Sequence, residues 1–204
     1  FSMTEKTKLT LSDKELSIVK DPGYILTKHA ITEKVYNLFG GMVPVISSAV
    51  NIYGVVLPAE VAASQPKIFK GENYRQLPYI MLDYPRCFCG EDIFAIRTMF
   101  WWGNFFSITL HLAGKYKTIL EEKLLENLHL QPEGFFVCIH TEQWQHHFEE
   151  DNYQPARHFT AEQLKSLWKN SSFIKLALPY SLDGWNNSSS LLEEGYKRIA
   201  GILA

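Results

Sequence analysis

Apolar residues recur at helical spacing in three segments of the chain. The first predicts a helix over residues 27–39 that ends at Gly40-Gly41, because glycine commonly follows the last turn of a helix. The other two predict amphipathic helices over residues 116–128 and 188–203. The sequence therefore predicts helices towards both ends of the chain and one further helix between them.

Two further helices are predicted from their first residues. In the capping-box pattern, Ser or Thr precedes Glu or Gln by three positions. The chain has this pattern at Ser12 with Glu15 and at Thr160 with Gln163. We expect these helices to end near Lys20 and Asn170.

The segment between the first helices and the middle of the chain is less clear. Residues 44–56 fit a helix or a strand, since Pro44 can open a helix while the valines and isoleucines suit a strand. Pro58 predicts a short helix through Ala63. Residues 65–73 predict a loop.

β-Branched and aromatic residues dominate the middle of the chain. They predict strands over 77–84, 93–102, 105–112, 135–140 and 173–178, while polar residues 141–159 and 179–187 predict loops. This order predicts one α+β domain over residues 1–204, with a mainly antiparallel central sheet and the helical N-terminal third packed on one face. Residues 1–10 are expected to be flexible, with Phe1-Ser2 an expression remnant before Met3.

The hairpin over residues 93–112 supplies the candidate site. Gly103-Asn104 suits a two-residue type II′ loop, which would place Trp102 opposite Phe105. In that register, one sheet face mixes aromatic and polar side chains, as a ligand pocket does. Its members are Thr98, Phe100, Trp102, Ser107, Thr109 and His111.

Arg97 falls on the opposite, apolar face of the predicted hairpin. A buried guanidinium requires a carboxylate, and Asp83 on the preceding strand is the nearest candidate in sequence. A structural ion pair, an arginine that reaches water at an edge, and an arginine that binds an anionic ligand all remain open. Arg86, beside Asp83 at a strand end, completes the set of candidate ligand-binding residues.

Composition and charge restrict the classes of function. The chain is 46% hydrophobic and 21% charged, which is ordinary for a globular protein, and its net charge of −2 argues against nucleic acid as a partner. Three cysteines suit reduced thiols in the cytoplasm. Residues 35–59 carry no charge, but glycines, prolines and polar residues interrupt them, so we expect no membrane span.

A histidine-rich segment is a weaker candidate, for a metal site. His140, His146, His147 and His158 lie near Glu150, and imidazole with carboxylate suits zinc or iron, but the spacing matches no metal motif. An exposed polar loop with ordinary histidines is the preferred interpretation. Cys138 precedes His140 on one predicted strand, but we identify no third group that would orient them as a catalytic pair. Cys87-Phe88-Cys89 lacks the second cysteine pair that a zinc site would need.

No motif fixes a reaction or a cofactor. The leading hypothesis is a cytoplasmic domain that binds a small anionic or aromatic ligand on the face of the 93–112 hairpin. The alternatives are a homodimeric or protein-interaction module without catalysis, and a metal-dependent or acid–base enzyme that uses the histidine-rich segment.

Overall fold

The computed structural model describes residues 9–204. Contacts divide the described chain into two compact units, one that ends at residue 37 and one that spans residues 38–204. In the first unit, helix α1 (Asp13–Lys20) begins with the predicted capping box: the Ser12 amide donates to Glu15 at 2.7 Å and the Glu15 amide donates to Ser12 Oγ at 3.3 Å. Phe1-Ser2 and most of the segment expected to be flexible lie outside the described residues.

Helix α2 (Pro22–Ile52) belongs to both units and corrects the prediction for this region. It does not end at Gly40-Gly41; both glycines and Pro44 lie inside it. Burial explains this result, because Phe39, Met42 and Ile46 pack into the core on its second half, and such packing outweighs helix propensity. The undecided residues 44–56 are therefore helical as far as Ile52.

α2 is also the one helix of the described residues that is long and apolar enough to cross a membrane. A third of the window that meets this criterion is buried within the protein, and its 31 residues include the core-forming second half. Length and composition alone are weak evidence, since a core helix passes the same test.

A seven-stranded sheet follows, with every neighbouring pair antiparallel. Its order is β1-β2-β3-β4-β7-β5-β6. The strands are β1 (Lys67–Tyr74), β2 (Leu77–Cys89), β3 (Asp92–Trp101), β4 (Phe105–Ala113), β5 (Phe136–Cys138), β6 (Tyr153–Pro155) and β7 (Phe173–Ser181). The predicted α+β class, antiparallel sheet and helical N-terminal segment are confirmed.

Residues 65–73, predicted as a loop, instead contribute most of β1. This edge strand is largely exposed and polar, with a break in register between Gly71 and Tyr74, so it lacks the apolar alternation that signals a strand.

The remaining helices agree with the predictions. They are α3 (Ala59–Ala62), which follows Pro58, α4 (Gly114–Leu130), α5 (Ala161–Lys169) with its Thr160 capping box, and α6 (Ser188–Leu203). Short 3-10 helices occupy Ala156–His158 and Leu182–Asn187 within the predicted loops.

The β3–β4 hairpin differs from its predicted register by one residue. Trp101, not Trp102, pairs with Phe105, and the loop is the three residues 102–104, with Gly103 at φ +70°. The Asn104 amide donates to the Trp101 carbonyl at 3.1 Å, while the Asn104 side chain donates to the Trp102 carbonyl at 2.7 Å. A one-residue shift places every β4 side chain on the face opposite to the predicted one, relative to β3.

Both sheet faces are covered. On the face that we call the helix face, Phe39 of α2, Tyr116 of α4 and Tyr196 of α6 contact the strands. On the other face lies a segment of irregular chain, residues 139–152, which we call the covering segment.

Candidate functional site

The observed register divides the predicted ligand-binding set between the two faces. Thr98 and Phe100 lie on the helix face, where the Thr98 hydroxyl is 2.6 Å from the Tyr196 hydroxyl. Ser107, Thr109 and His111 lie under the covering segment instead. The single mixed pocket expected from the two-residue loop is therefore not formed.

Two of the four remaining predicted residues, Trp102 and Arg86, lie at the margins of the sheet. Trp102 is in the hairpin loop with its ring 5.3 Å from that of Phe100. Arg86 is half-buried, and its Nε donates to the Gln65 carbonyl at 3.2 Å. Neither contributes to the buried polar groups described next.

Arg97 has the carboxylate partner that its burial requires. Its Nε donates to Asp83 Oδ1 at 2.7 Å and its Nη2 to Asp83 Oδ2 at 2.9 Å. The rings of Phe88 and Trp144 each lie 5.7 Å from the guanidinium. Both members of the pair are buried, so the guanidinium is fixed in place under the covering segment.

Polar side chains cross four adjacent strands on this face. Asp83 of β2 pairs in register with Arg97 of β3, Arg97 with Thr109 of β4, and His111 of β4 with Lys175 of β7. All five are buried. We call them the polar layer.

The covering segment binds the polar layer directly. The Lys175 ammonium donates to the Gln145 carbonyl, and His111 Nε2 lies 2.9 Å from Gln143 Oε1. From β1, the Tyr74 hydroxyl accepts the amides of His146 and His147 at 2.7 and 3.1 Å. These contacts hold the segment closed over the sheet.

Two buried histidines of this region, His111 and His146, are held neutral. Burial, reinforced by Lys175 and Arg97, lowers the pKa of His111 to about 3. Burial, together with the same two cations, also places the pKa of His146 well below its usual range. Imidazoles that cannot take up a proton act here as neutral hydrogen-bonding groups.

Lys175 is the exceptional residue of the polar layer. It is 1% exposed, and burial, with a contribution from Arg97, lowers its pKa to about 8. Its ammonium lies 5.3 Å from the Tyr153 ring centroid, and none of the carboxylates in residues 9–204 lies within 4.0 Å of it. Near neutral pH, the layer therefore holds a buried cation without a counter-charge.

Two buried polar atoms on the same face have no hydrogen-bond partner within the described chain. They are Trp101 Nε1 and His111 Nδ1. Native proteins leave few buried polar atoms unsatisfied, so these atoms distinguish this face of the sheet.

The predicted metal candidates do not come together. Among the described residues, the group of metal-ligand type whose atoms lie within 4.8 Å of one another is His147, Glu149 and Asp151. His140, His146, His158 and Glu150 are outside it.

Hydrogen bonding gives the His147 group another role. The Tyr74 oxygen already accepts two amides, and both Gln145 Oε1 at 3.3 Å and His147 Nδ1 at 2.9 Å lie within reach of its hydroxyl proton. His147 Nε2 lies 3.2 Å from Asp151 Oδ1. Both ring nitrogens of His147 therefore have hydrogen-bonding partners within the chain.

The sequence analysis did not select Lys175, Tyr74 or Tyr153. One signal for Lys175 was present: it is the single charge in the apolar run Phe173–Leu178. No family model, curated protein or solved structure matches the chain. The geometry of the polar layer is therefore what supports a function.

Proposed function

We propose that this protein binds a small anionic ligand, a carboxylate or a phosphate, at the polar layer beneath the covering segment. The observation that carries the proposal is Lys175, buried without a carboxylate partner. An unpaired buried charge costs several kcal/mol, and an anion at the ammonium offsets that cost.

The other groups of the layer have supporting roles in this proposal. Asp83 occupies the guanidinium of Arg97, which leaves Lys175 as the cation that meets the ligand. His111 Nδ1, which has no partner within the described chain, and the Tyr153 hydroxyl would orient it. The covering segment must lift for the ligand to enter, and the three free cysteines suit the cytoplasmic location that we also propose.

Binding can be tested with a panel of defined anions. Inorganic phosphate, sulfate, acetate, citrate and a nucleoside monophosphate are each titrated by calorimetry into wild-type protein, Lys175→Met and Lys165→Met at low ionic strength. We expect saturable binding of one anion class that Lys175→Met abolishes and Lys165→Met, a change at an exposed lysine of α5, retains. Equal affinity of every anion for wild type and Lys175→Met would contradict the proposal.

A second candidate function is self-association through the first unit. Residues 9–26 leave a series of large apolar side chains exposed, and such patches mark interaction surfaces. They are Leu9, Leu11, Leu16, Ile18, Val19, Tyr24, Ile25 and Leu26. Sedimentation equilibrium should show a dimer that Ile25→Ser with Leu26→Ser converts to monomer, whereas a monomeric wild type at high concentration argues against this candidate.

A further inference from the structure

Two cysteine sulfurs lie in contact at the end of β2. Cys87 Sγ and Cys89 Sγ are 3.1 Å apart, on the same side of the strand. Cys87 is buried and Cys89 is exposed, so one sulfur is accessible to solution while the other is protected. The third cysteine, Cys138, lies apart in β5 and is buried.

Backbone geometry allows a bond between the two sulfurs. A strand rises about 3.3 Å per residue, which separates the Cα atoms of residues two apart by about 6.6 Å. Disulfides accept Cα separations up to about 6.8 Å, so the pair lies at the upper end of the permitted range. Cys89 is the last residue of β2 and Gly90 follows at φ +65°, so the chain can adjust at the strand end.

We propose that Cys87 and Cys89 form a reversible disulfide by exchange with low-molecular-weight disulfides. The Cys89 thiolate attacks one sulfur of the small disulfide and releases one small thiolate. Cys87, after loss of its proton, then attacks Cys89 Sγ, forms the Cys87–Cys89 bond and releases the second small thiolate. The two protons lost by the cysteines protonate the two thiolates released, so the protein is oxidised and the small disulfide reduced.

The surroundings set the conditions for the exchange. The hydrogen bond between Cys89 and Cys87 raises the pKa of the Cys89 thiol, while Lys115 lowers it to a smaller extent. The reaction should therefore run faster at mildly alkaline pH, where more thiolate is present. A bond at the limit of the permitted Cα separation is strained and should be reduced readily.

The proposal is tested on the wild-type chain with oxidised glutathione. Free thiols are then alkylated, and the protein is digested with trypsin, which should release residues 87–97 as one peptide that holds both cysteines and excludes Cys138. We expect most copies of this peptide to lose two hydrogen atoms and escape alkylation, and dithiothreitol to reverse both changes. A peptide that carries glutathione on Cys89 without the internal bond, or that is alkylated at both positions, would overturn the proposal.

Two variants separate the steps of the exchange. Cys87→Ser should retain glutathione on Cys89 as a stable adduct, because the resolving thiol is gone. Cys89→Ser should remain unmodified, because Cys87 is buried. Cys138→Ser is the matched control and should form the internal bond as wild type does; adducts on Cys87 in place of Cys89 would contradict the assigned order.

Discussion

Asp83 and Arg97 face each other at paired positions of β2 and β3 and share two hydrogen bonds of 2.7 and 2.9 Å. Both side chains are buried, so neither charge can turn to water when its partner is lost. Such a pair is costly to break from one side and much less costly to replace as a whole.

We therefore predict that Asp83→Asn lowers the free energy of unfolding by about 3 kcal/mol, because it leaves the guanidinium without its counter-charge. The double variant Asp83→Leu/Arg97→Met should lie within about 1 kcal/mol of wild type. Urea denaturation measures all three proteins. Glu193→Gln, which breaks the exposed pair of Glu193 with Lys197, is the control and should leave the midpoint unchanged. A double variant that is as unstable as Asp83→Asn would contradict this account.

The glycines of the chain provide a second prediction. Gly40 lies inside α2 with open space where a Cβ would be placed, so Gly40→Ala should stabilise the protein by about 0.5–1 kcal/mol. Gly103 also has open space but adopts φ +70°, so Gly103→Ala should destabilise it by about 1 kcal/mol. Thermal denaturation should show a higher midpoint temperature for Gly40→Ala and a lower one for Gly103→Ala. A loss of stability in Gly40→Ala would imply that α2 is interrupted at Gly40.

Local signals predicted the fold where they were strong. The capping boxes at Ser12 and Thr160 gave correct helix starts, because the pattern is completed by neighbours in sequence. The helix end predicted at Gly40-Gly41 was wrong, because the burial of Phe39 and Met42 that keeps the helix intact depends on distant strands. The edge strand β1 was predicted as a loop because its exposed positions carry no periodic apolar signal.

The candidate site depended on a single loop length. A three-residue loop in place of a two-residue loop separated Thr98 from Thr109 and placed Thr109 beside Arg97. The pairing of Arg97 with Asp83 was one of the alternatives that the sequence left open, since burial of a guanidinium demands a carboxylate. The position of the covering segment was not predictable, because its contacts with Tyr74 and Lys175 join residues far apart in sequence.

The buried histidines predict a loss of stability in mild acid. His111 has a folded pKa of about 3 against an ordinary value of 6.5, and the pKa of His146 is also lowered. Below pH 6.5 the unfolded chain takes up protons that the folded chain does not, so the free energy of unfolding falls as pH decreases. The limiting slope is about 1.4 kcal/mol per pH unit for each histidine.

Urea denaturation between pH 6.5 and 5 tests this slope above the range in which ordinary carboxyl groups titrate. His111→Gln should remove the share of the slope that belongs to His111, and His146→Gln the share of His146. The exposed His129→Gln should leave the slope as in wild type. A slope that neither buried substitution changes would show that other groups cause it.

The buried ammonium of Lys175 should lower the free energy of unfolding of the protein. Its folded pKa of about 8 lies below the ordinary lysine value of 10.5, so between these pH values the unfolded chain holds a proton that the folded chain has lost. The free energy of unfolding should therefore rise as pH increases from 8, and Lys175→Met should remove that rise.

At pH 7 the same substitution should stabilise the protein by about 1–3 kcal/mol, because it removes a buried charge while retaining an unbranched side chain of similar length. Denaturation of wild type and Lys175→Met at pH 7 and pH 9 measures both effects, with the exposed Lys165→Met as the control. A variant that gains stability but loses anion binding would identify Lys175 as a residue retained for the ligand at the expense of the fold. A variant that is less stable at pH 7 would instead make the ammonium a structural group, held by the Gln145 carbonyl and the Tyr153 ring.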